Sequence, residues 1–186
     1  INHVQPAGNT SPPAAVNKVK TSGKIPDSLG TIVVKKRMTI WQVLHSVYGE
    51  FNPDIKQLFM TANPQIKDLK YVQAGAVLKV PSMPGKARPL KQGTIIVSLE
   101  KSKDLETTFY SFVEKYDLKY RPSTLLLSFW NQREGRQFAI VLDKRFTNVE
   151  EAGEAIRQLP SELAASARIL SKWDGDVVFF NSRFLL

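Results

Sequence analysis

Apolar positions between residues 31 and 81 change from strand-like to helix-like spacing and back again. TIVVKK, at residues 31–36, is rich in β-branched residues and predicts a strand, and AGAVLKVP predicts a second strand that stops at Pro81. Between these strands the spacing predicts two helices, with inward stripes of Ile40, Val43, Leu44 and Val47, and of Ile55, Leu58, Phe59 and Ala62. The predicted order is therefore β-α-α-β.

Residues that begin and end helices bracket both of these segments. Thr39 is placed to cap the first helix, and Gly49 follows its last apolar position. Pro53 suits the first turn of the second helix, which Asn63 and Pro64 end. These signals fix the predicted helix boundaries independently of the apolar pattern.

A second unit follows with the order β-α-β-β-α-β. TIIVSLE predicts a strand, KDLETTFYSFVEKY a helix, and TLLLSFWN and QFAIVLD two strands joined by a turn at Gly135. NVEEAGEAIRQL predicts another helix, interrupted at Pro160, and ILSKW and VVFF supply the last strand. This order predicts a split βαβ fold, in which both helices cover one face of an antiparallel sheet and leave the other face free to bind.

Two segments without apolar periodicity divide the chain. Residues 1–30 are rich in Pro, Ser, Gly and Asn and predict a disordered linker, and residues 84–93 predict a second linker. The predicted α+β domains are then residues 31–83 and 94–186. Because the chain begins at Ile1, we expect a fragment or a processed form.

Composition narrows the class of protein. A hydrophobic content of 42% indicates folded domains, and no apolar run reaches the roughly 18 residues of a membrane span. The absence of cysteine excludes disulfides and thiolate metal sites. The net charge of +9 is spread along the chain, which favours general attraction to polyanions over a dedicated nucleic-acid surface.

Catalytic chemistry has little support in the sequence. The two histidines are His3, in the predicted linker, and His45, alone on a helix, so neither belongs to a cluster of metal ligands or a triad. Asp174 and Asp176 flank a glycine and are typical of a turn. We therefore expect no catalytic residues, no bound metal and no cofactor.

The stretch from Thr31 to Pro81 resembles a LysM domain. That family has a strand ending near a Gly-Asp-Thr-Leu-Trp box, helices closing at Tyr-Gly and at Ala-Asn-Pro, and a last strand in a Gly-x-x-Leu-x-Ile/Val-Pro frame. The residues in register are Thr39, Trp41, Tyr48, Gly49, Leu58, Ala62, Asn63, Pro64, Gly75, Leu78, Val80 and Pro81. Arg37 and Met38 replace the Gly-Asp of the family, and the register assigns Trp41 to the core.

The LysM resemblance implies a shallow groove that binds polymers of N-acetylglucosamine. Its walls would be the loops before the first helix and after the second, formed by Arg37, Met38, Thr39, Ile40, Ala62, Asn63, Pro64, Gln65 and Ile66. We expect Met38 to pack on the apolar face of a sugar and Arg37 to bind a carboxylate of a peptide stem. The alternative is a LysM fold that serves only as a spacer.

RFTNVEEAGEAIRQL resembles the passage from the third strand to the second helix of SPOR domains. The matching residues are Phe146, Glu150, Glu151, Ala152, Ala155, Ile156 and Leu159, while Lys144 and Arg145 replace the usual Gly-Pro. SPOR modules bind peptidoglycan strands without stem peptides through the open sheet face. This resemblance therefore implies the same partner as the LysM resemblance.

Trp130 alternates with Phe129 on a predicted strand, so one of the two rings should point to the sheet face without helices. An exposed Trp130 would stack on a sugar while a nearby cation binds a lactyl or phosphate oxygen; the candidate cations are Arg136, Lys172 and Arg183. The alternative is that Trp130 covers the sheet edge or the other domain. An RNA-recognition motif is the weaker rival, because Phe138 lacks a second stacking ring.

These observations predict two small α+β modules on a Pro-rich tether. Their arrangement resembles the periplasmic tail of bacterial envelope or general-secretion-pathway ATPases. We expect a non-catalytic segment, in the periplasm or cell envelope, that binds peptidoglycan or another N-acetylglucosamine-containing glycan, with envelope proteins as further candidate partners. The alternative function is a protein-interaction or spacer module that positions a secretion or division complex.

Overall fold

The computed structural model describes residues 23–83, 93–116, 123–173 and 175–181, and the elements in these ranges form an α+β fold with two antiparallel sheets. The strands are β1 (Ser28–Val33), β2 (Val77–Pro81), β3 (Ile95–Ser102), β4 (Thr124–Asn131), β5 (Gly135–Phe146), β6 (Arg168–Leu170) and β7 (Val178–Phe179). The helices are α1 (Ile40–Tyr48), α2 (Pro53–Ala62), α3 (Leu105–Ser111), α4 (Val149–Arg157) and α5 (Ser161–Ser166). None of these helices has the length and apolar character that a membrane crossing requires.

Several sequence predictions lie outside the described residues. They concern the first 22 residues of the N-terminal linker with His3, the linker at 84–92, Asp174 and Arg183.

The first unit has the predicted order β1-α1-α2-β2. Thr39 caps α1, because its hydroxyl oxygen accepts a hydrogen bond from the Gln42 N–H at 3.1 Å. Gly49 ends the helix in the left-handed conformation, with φ of 75°. The side chain of Asn52 caps α2 directly before Pro53. These local signals confirm the predicted helix boundaries.

Strand β1 begins three residues earlier than the composition predicted. Ser28 pairs with Pro81, and its hydroxyl donates to the Val80 carbonyl oxygen at 3.0 Å. The pairing shifts between Ser28 and Gly30, and Gly30 has a φ of +148° that other residues rarely adopt. The triplet Ser28-Leu29-Gly30 was predicted as linker because it has one apolar residue, Leu29, and therefore shows no apolar alternation.

The second unit is a five-stranded sheet in the order β6-β3-β5-β4-β7, and its recorded strand pairs are antiparallel. The predicted helix at 103–116 is divided: α3 ends at Ser111 and a π-helical turn continues from Phe112 to Tyr116. Pro160 separates α4 from α5, as predicted. The predicted last strand is two strands, β6 and β7, at opposite edges of the sheet.

The sheet face without helices is covered where the sequence predicted an open surface. The chain between β6 and β7 has to cross from one edge to the other, and Trp173 lies in this connection. Its ring meets the rings of Phe129 and Phe179 with centroids 5.9 and 5.4 Å away, and its Nε1 donates to the Thr94 carbonyl oxygen at 2.9 Å. With Val177 these rings form a second apolar cluster, which closes this part of the face.

The two units share one buried apolar core. Helix α1 packs against β4, and α3 packs against β1, so each unit covers part of the other. An ion pair between Lys35 and Glu114, 2.7 Å apart, lies at the edge of this contact, and the hydrogen bond to Glu114 raises the pKa of Lys35. The sequence divided the chain into two domains without indicating this packing.

The outer edge of β1 is paired by side chains of the second unit. The N–H of Val33 donates to Oε1 of Glu106 at 3.1 Å. The Arg136 guanidinium donates to the carbonyl oxygens of Ser28 and Leu29, both at 3.1 Å. Because an unpaired strand edge invites pairing with other chains, these contacts protect β1 while they join the units.

Candidate ligand-binding cavity

A cavity of about 600 Å³ lies between α1, α2 and the connection that follows α2. Its apolar walls are Trp41, Phe51, Met60 and Leu69, and its polar walls are Thr39, Lys56, Lys67, Asp68 and Lys70. This size and this mixture of aromatic and polar groups are typical of sites for small molecules or for segments of a polymer. The cavity is the strongest candidate site in the part of the chain that the structure describes.

Trp41 is 56% exposed, which corrects its assignment to the core. Ile40, Val43 and Leu44 are buried on α1, and Trp41 lies off their stripe because successive residues of a helix are rotated by about 100°. One face of the indole is stacked on His45, one turn later, with centroids 4.6 Å apart and planes 15° apart. Trp41 is therefore a supported aromatic surface, held in place outside the core.

Three lysines of the cavity bring positive charge to its rim. Lys56, Lys67 and Lys70 are exposed, and Asp68 is the acid among the cavity walls. The carboxylate of Asp68 accepts a hydrogen bond from the Lys70 N–H at 2.9 Å, so it also holds the turn that presents two of the lysines. The cavity thus combines apolar walls with a net positive rim.

Of the groove residues implied by the LysM resemblance, the structure places one, Thr39, in the cavity wall. Exposed positions outside that wall are Arg37, Pro64 and Gln65; half-buried ones are Met38 and Ala62; buried ones are Ile40, Asn63 and Ile66. The two predicted loops do flank the cavity region, but most of their side chains do not line it.

Met38 contacts the second unit, where a sugar contact was expected. Its sulfur accepts a hydrogen bond from the Tyr110 hydroxyl at 3.2 Å, and the same hydroxyl also contacts the Val33 carbonyl oxygen. Arg37 is exposed in a left-handed turn, with φ of 66°. The loop that contains these two residues is therefore packed against α3 at Met38.

Asn63 is fully buried, so its side chain cannot meet a ligand in this structure. Its Nδ2 donates to the carbonyl oxygens of Phe59 at 2.9 Å and Lys79 at 2.8 Å, and its Oδ1 accepts from the Lys79 N–H at 2.7 Å. These bonds join the end of α2 to β2. Asn63 holds the loop in place and does not form its surface.

The structure pairs Trp130 with Arg136 across β4 and β5, but it does not bring Lys172 to them, and neither paired side chain is free for a ligand. Trp130 is 6% exposed and belongs to the core that the two units share, on the helix side of the sheet. The Arg136 guanidinium is bonded to β1. Lys172 lines a second cavity, of about 230 Å³, beside Phe129 and Trp173. The alternation of β4 was predicted correctly, but it could not tell which face the helices would cover.

The second cavity also holds a charged pair at its rim. Nζ of Lys101 lies 3.2 Å from Oε2 of Glu134. Burial of Glu134 acts against its ionisation, but hydrogen bonds from Lys101 and Asn131 outweigh this effect and lower the pKa of the Glu134 carboxyl. Glu134 is thereby held as a carboxylate, and it neutralises one of the cations near this cavity.

The comparisons with known proteins identified no relative of this chain. No family model, curated protein or solved structure matches this chain. The described ranges also contain no group of three or more His, Asp or Glu side chains arranged to hold a metal ion. The cavity and its chemistry are therefore the basis from which a function can be inferred.

The sequence did not predict several walls of the cavity. These are Trp41, Phe51, Lys56, Met60, Lys67 and Lys70. The helical spacing of α1 already contained the signal for Trp41, because the inward stripe is complete without it. The lysines and Phe51 carried no such signal. Their grouping depends on how α2 and the following turn pack together.

Proposed function

We propose that this chain is a non-catalytic glycan-binding segment of a bacterial envelope protein, acting in the periplasm or cell envelope on peptidoglycan or a related N-acetylglucosamine polymer. The observation that carries the proposal is the exposed Trp41 indole in the wall of the 600 Å³ cavity. Aromatic rings offer large, rigid apolar contact area. The apolar face of a sugar ring can stack on such a surface while its hydroxyl groups reach the polar walls.

The position of the cavity supports the proposal as well. It lies beside the start of α1 and the connection after α2, which is the region where the LysM resemblance implies a groove. The SPOR resemblance of the second unit implies the same partner, but Trp173 and its cluster cover part of the sheet face through which that family binds, so the proposal is based on the cavity of the first unit. Because the two units share a core, the cavity of the first unit is packed together with the second unit in one fold.

A spacer or protein-interaction module is the second candidate function. It is favoured by the packing of Met38 on Tyr110, which takes one wall of the implied groove away from a ligand. In that case the shared core would serve to hold two neighbouring segments of a secretion or division complex at a fixed separation. The two candidate functions can be distinguished experimentally, because isolated peptidoglycan should retain a glycan-binding chain and should not retain a spacer.

A sacculus pull-down tests the proposed function. Purified peptidoglycan should retain the 186-residue chain, and Trp41→Ala should release most of it because the stacking surface is removed. Tyr71→Ala is the matched control, since Tyr71 is 81% exposed and is not a wall of this cavity. Equal retention of the two variants, or no retention of the unaltered chain at low salt, would contradict the proposal.

A further inference from the structure

We propose that the cavity selects glycan chains that carry carboxylates, such as the lactyl groups of peptidoglycan strands, over neutral chains of the same sugar backbone. The inference rests on the proposed function and names the substrate class of that site. Its basis is the charge of the cavity rim, which a neutral polymer of N-acetylglucosamine would leave unused.

The positive charge of the rim is balanced only in part by acidic groups of the cavity. The lysines that form ion pairs in the described residues are Lys35, Lys101 and Lys144, all away from this cavity. Lys56, Lys67 and Lys70 take part in none of the ion pairs found within the same ranges. Asp68 offsets one of the three charges. A formal charge of about +2 therefore remains for a ligand.

The rim and the apolar walls together define an amphipathic ligand. Trp41 and Phe51 are suited to the apolar face of a sugar ring, and the lysine ammonium groups are suited to an anion attached to that ring. Lysine is a compact charge on a flexible stem, so it can follow carboxylates at slightly different positions along a polymer. A lactyl carboxylate on every second sugar has this chemistry.

The test compares strands that differ in charge alone. Peptide-free glycan strands are titrated into the 186-residue chain, once with free lactyl carboxylates and once with the same strands converted to methyl amides. We expect the free strands to bind at least about fivefold more tightly, and each of Lys56→Gln, Lys67→Gln and Lys70→Gln to weaken their binding about two- to fivefold. The triple variant should bind both strands alike.

Matched controls separate this inference from general attraction of a basic protein. Lys103→Gln removes the same charge from the connection between β3 and α3, and it should leave the preference unchanged. A neutral N-acetylglucosamine hexamer should bind no better to the unaltered chain than to the triple variant. The preference should shrink as salt concentration rises, because exposed charges are screened.

The outcomes distinguish the inference from the proposed function. If both strands bind equally and Trp41→Ala abolishes binding of both, glycan binding stands and charge selection is wrong. If neither strand binds, both proposals are wrong. If a poly-glutamate peptide binds through the same lysines and the strands do not, the site recognises acidic polypeptide and the inference is overturned.

Discussion

Replacing Asn63 by alanine tests whether this buried side chain serves the fold and not a ligand. The change removes two hydrogen bonds to Lys79 in β2, of 2.8 and 2.7 Å, one of 2.9 Å to the Phe59 carbonyl oxygen in α2, and a long one of 3.5 Å from Gln65. A hydrogen bond contributes about 0.5–1.5 kcal/mol net, and a buried group left without a partner costs about 1–3 kcal/mol. Because part of this network is reached by water, we expect the variant to lose about 3 kcal/mol of unfolding free energy.

Asn52→Ala is the matched control, because it makes the same change at a site with one such bond. The Asn52 side chain caps α2 by accepting from the Ile55 N–H at 3.0 Å. Loss of an N-cap of this kind costs about 1 kcal/mol. The two variants therefore remove similar groups but differ by about 2 kcal/mol in the expected effect.

The measurement is equilibrium urea unfolding, followed by tryptophan fluorescence and by far-ultraviolet circular dichroism. Coincident transitions would show that the shared core unfolds as one unit and would allow comparison of unfolding free energies. Equal losses for Asn63→Ala and Asn52→Ala would refute the reasoning. A folded Asn63→Ala chain that no longer binds sacculi would instead place Asn63 in the ligand site.

Two further predictions concern the contact between the units and the start of α3. Arg136→Ala removes the hydrogen bonds to the Ser28 and Leu29 carbonyl oxygens, so it should speed hydrogen exchange in β1 and lower the free energy of unfolding by about 1 kcal/mol. Arg133→Ala, in the turn before β5, is the control and should change neither quantity. Hydrogen bonds from Thr107 lower the pKa of Asp104 from its ordinary value of 3.8. Ionised Asp104 therefore stabilises the folded protein above pH 3.8, and this contribution is lost as the pH falls through the lowered pKa. Asp104→Asn keeps a cap, so its stability deficit should be present at pH 6 and shrink as the pH falls below 3.8. A deficit independent of pH would contradict this.

Local elements could be predicted because their signals lie within a few residues of one another. Gly75 turns the chain before β2 with a φ of 90°, and Pro160 divides α4 from α5, as their residue types indicate. The contact between the units has no such signal. Val33 and Glu106, for example, are 73 residues apart in the chain, and neither residue type is unusual at its position.

The groove implied by the resemblance and the cavity share one residue, Thr39, although their elements are neighbours. A resemblance carries backbone register, and the register located the start of α1 and the connection after α2. Which side chains face a cavity depends on packing against the rest of this chain. Here α3 covers the loop at Met38, and the cavity lies instead on the side of α1 that bears Trp41.

The exposure of Trp41 is itself an argument for a role on the surface. The inward stripe of α1 is filled by Ile40, Val43, Leu44 and Val47, so the core gains little from an indole at position 41. Tryptophan also favours a helix less than alanine does. The free energy of unfolding of Trp41→Ala should therefore lie within about 0.5 kcal/mol of that of the unaltered chain, as is usual for surface substitutions. A variant that keeps its urea midpoint and loses its glycan would show that the indole serves the ligand, whereas a large loss of stability would assign Trp41 to the fold.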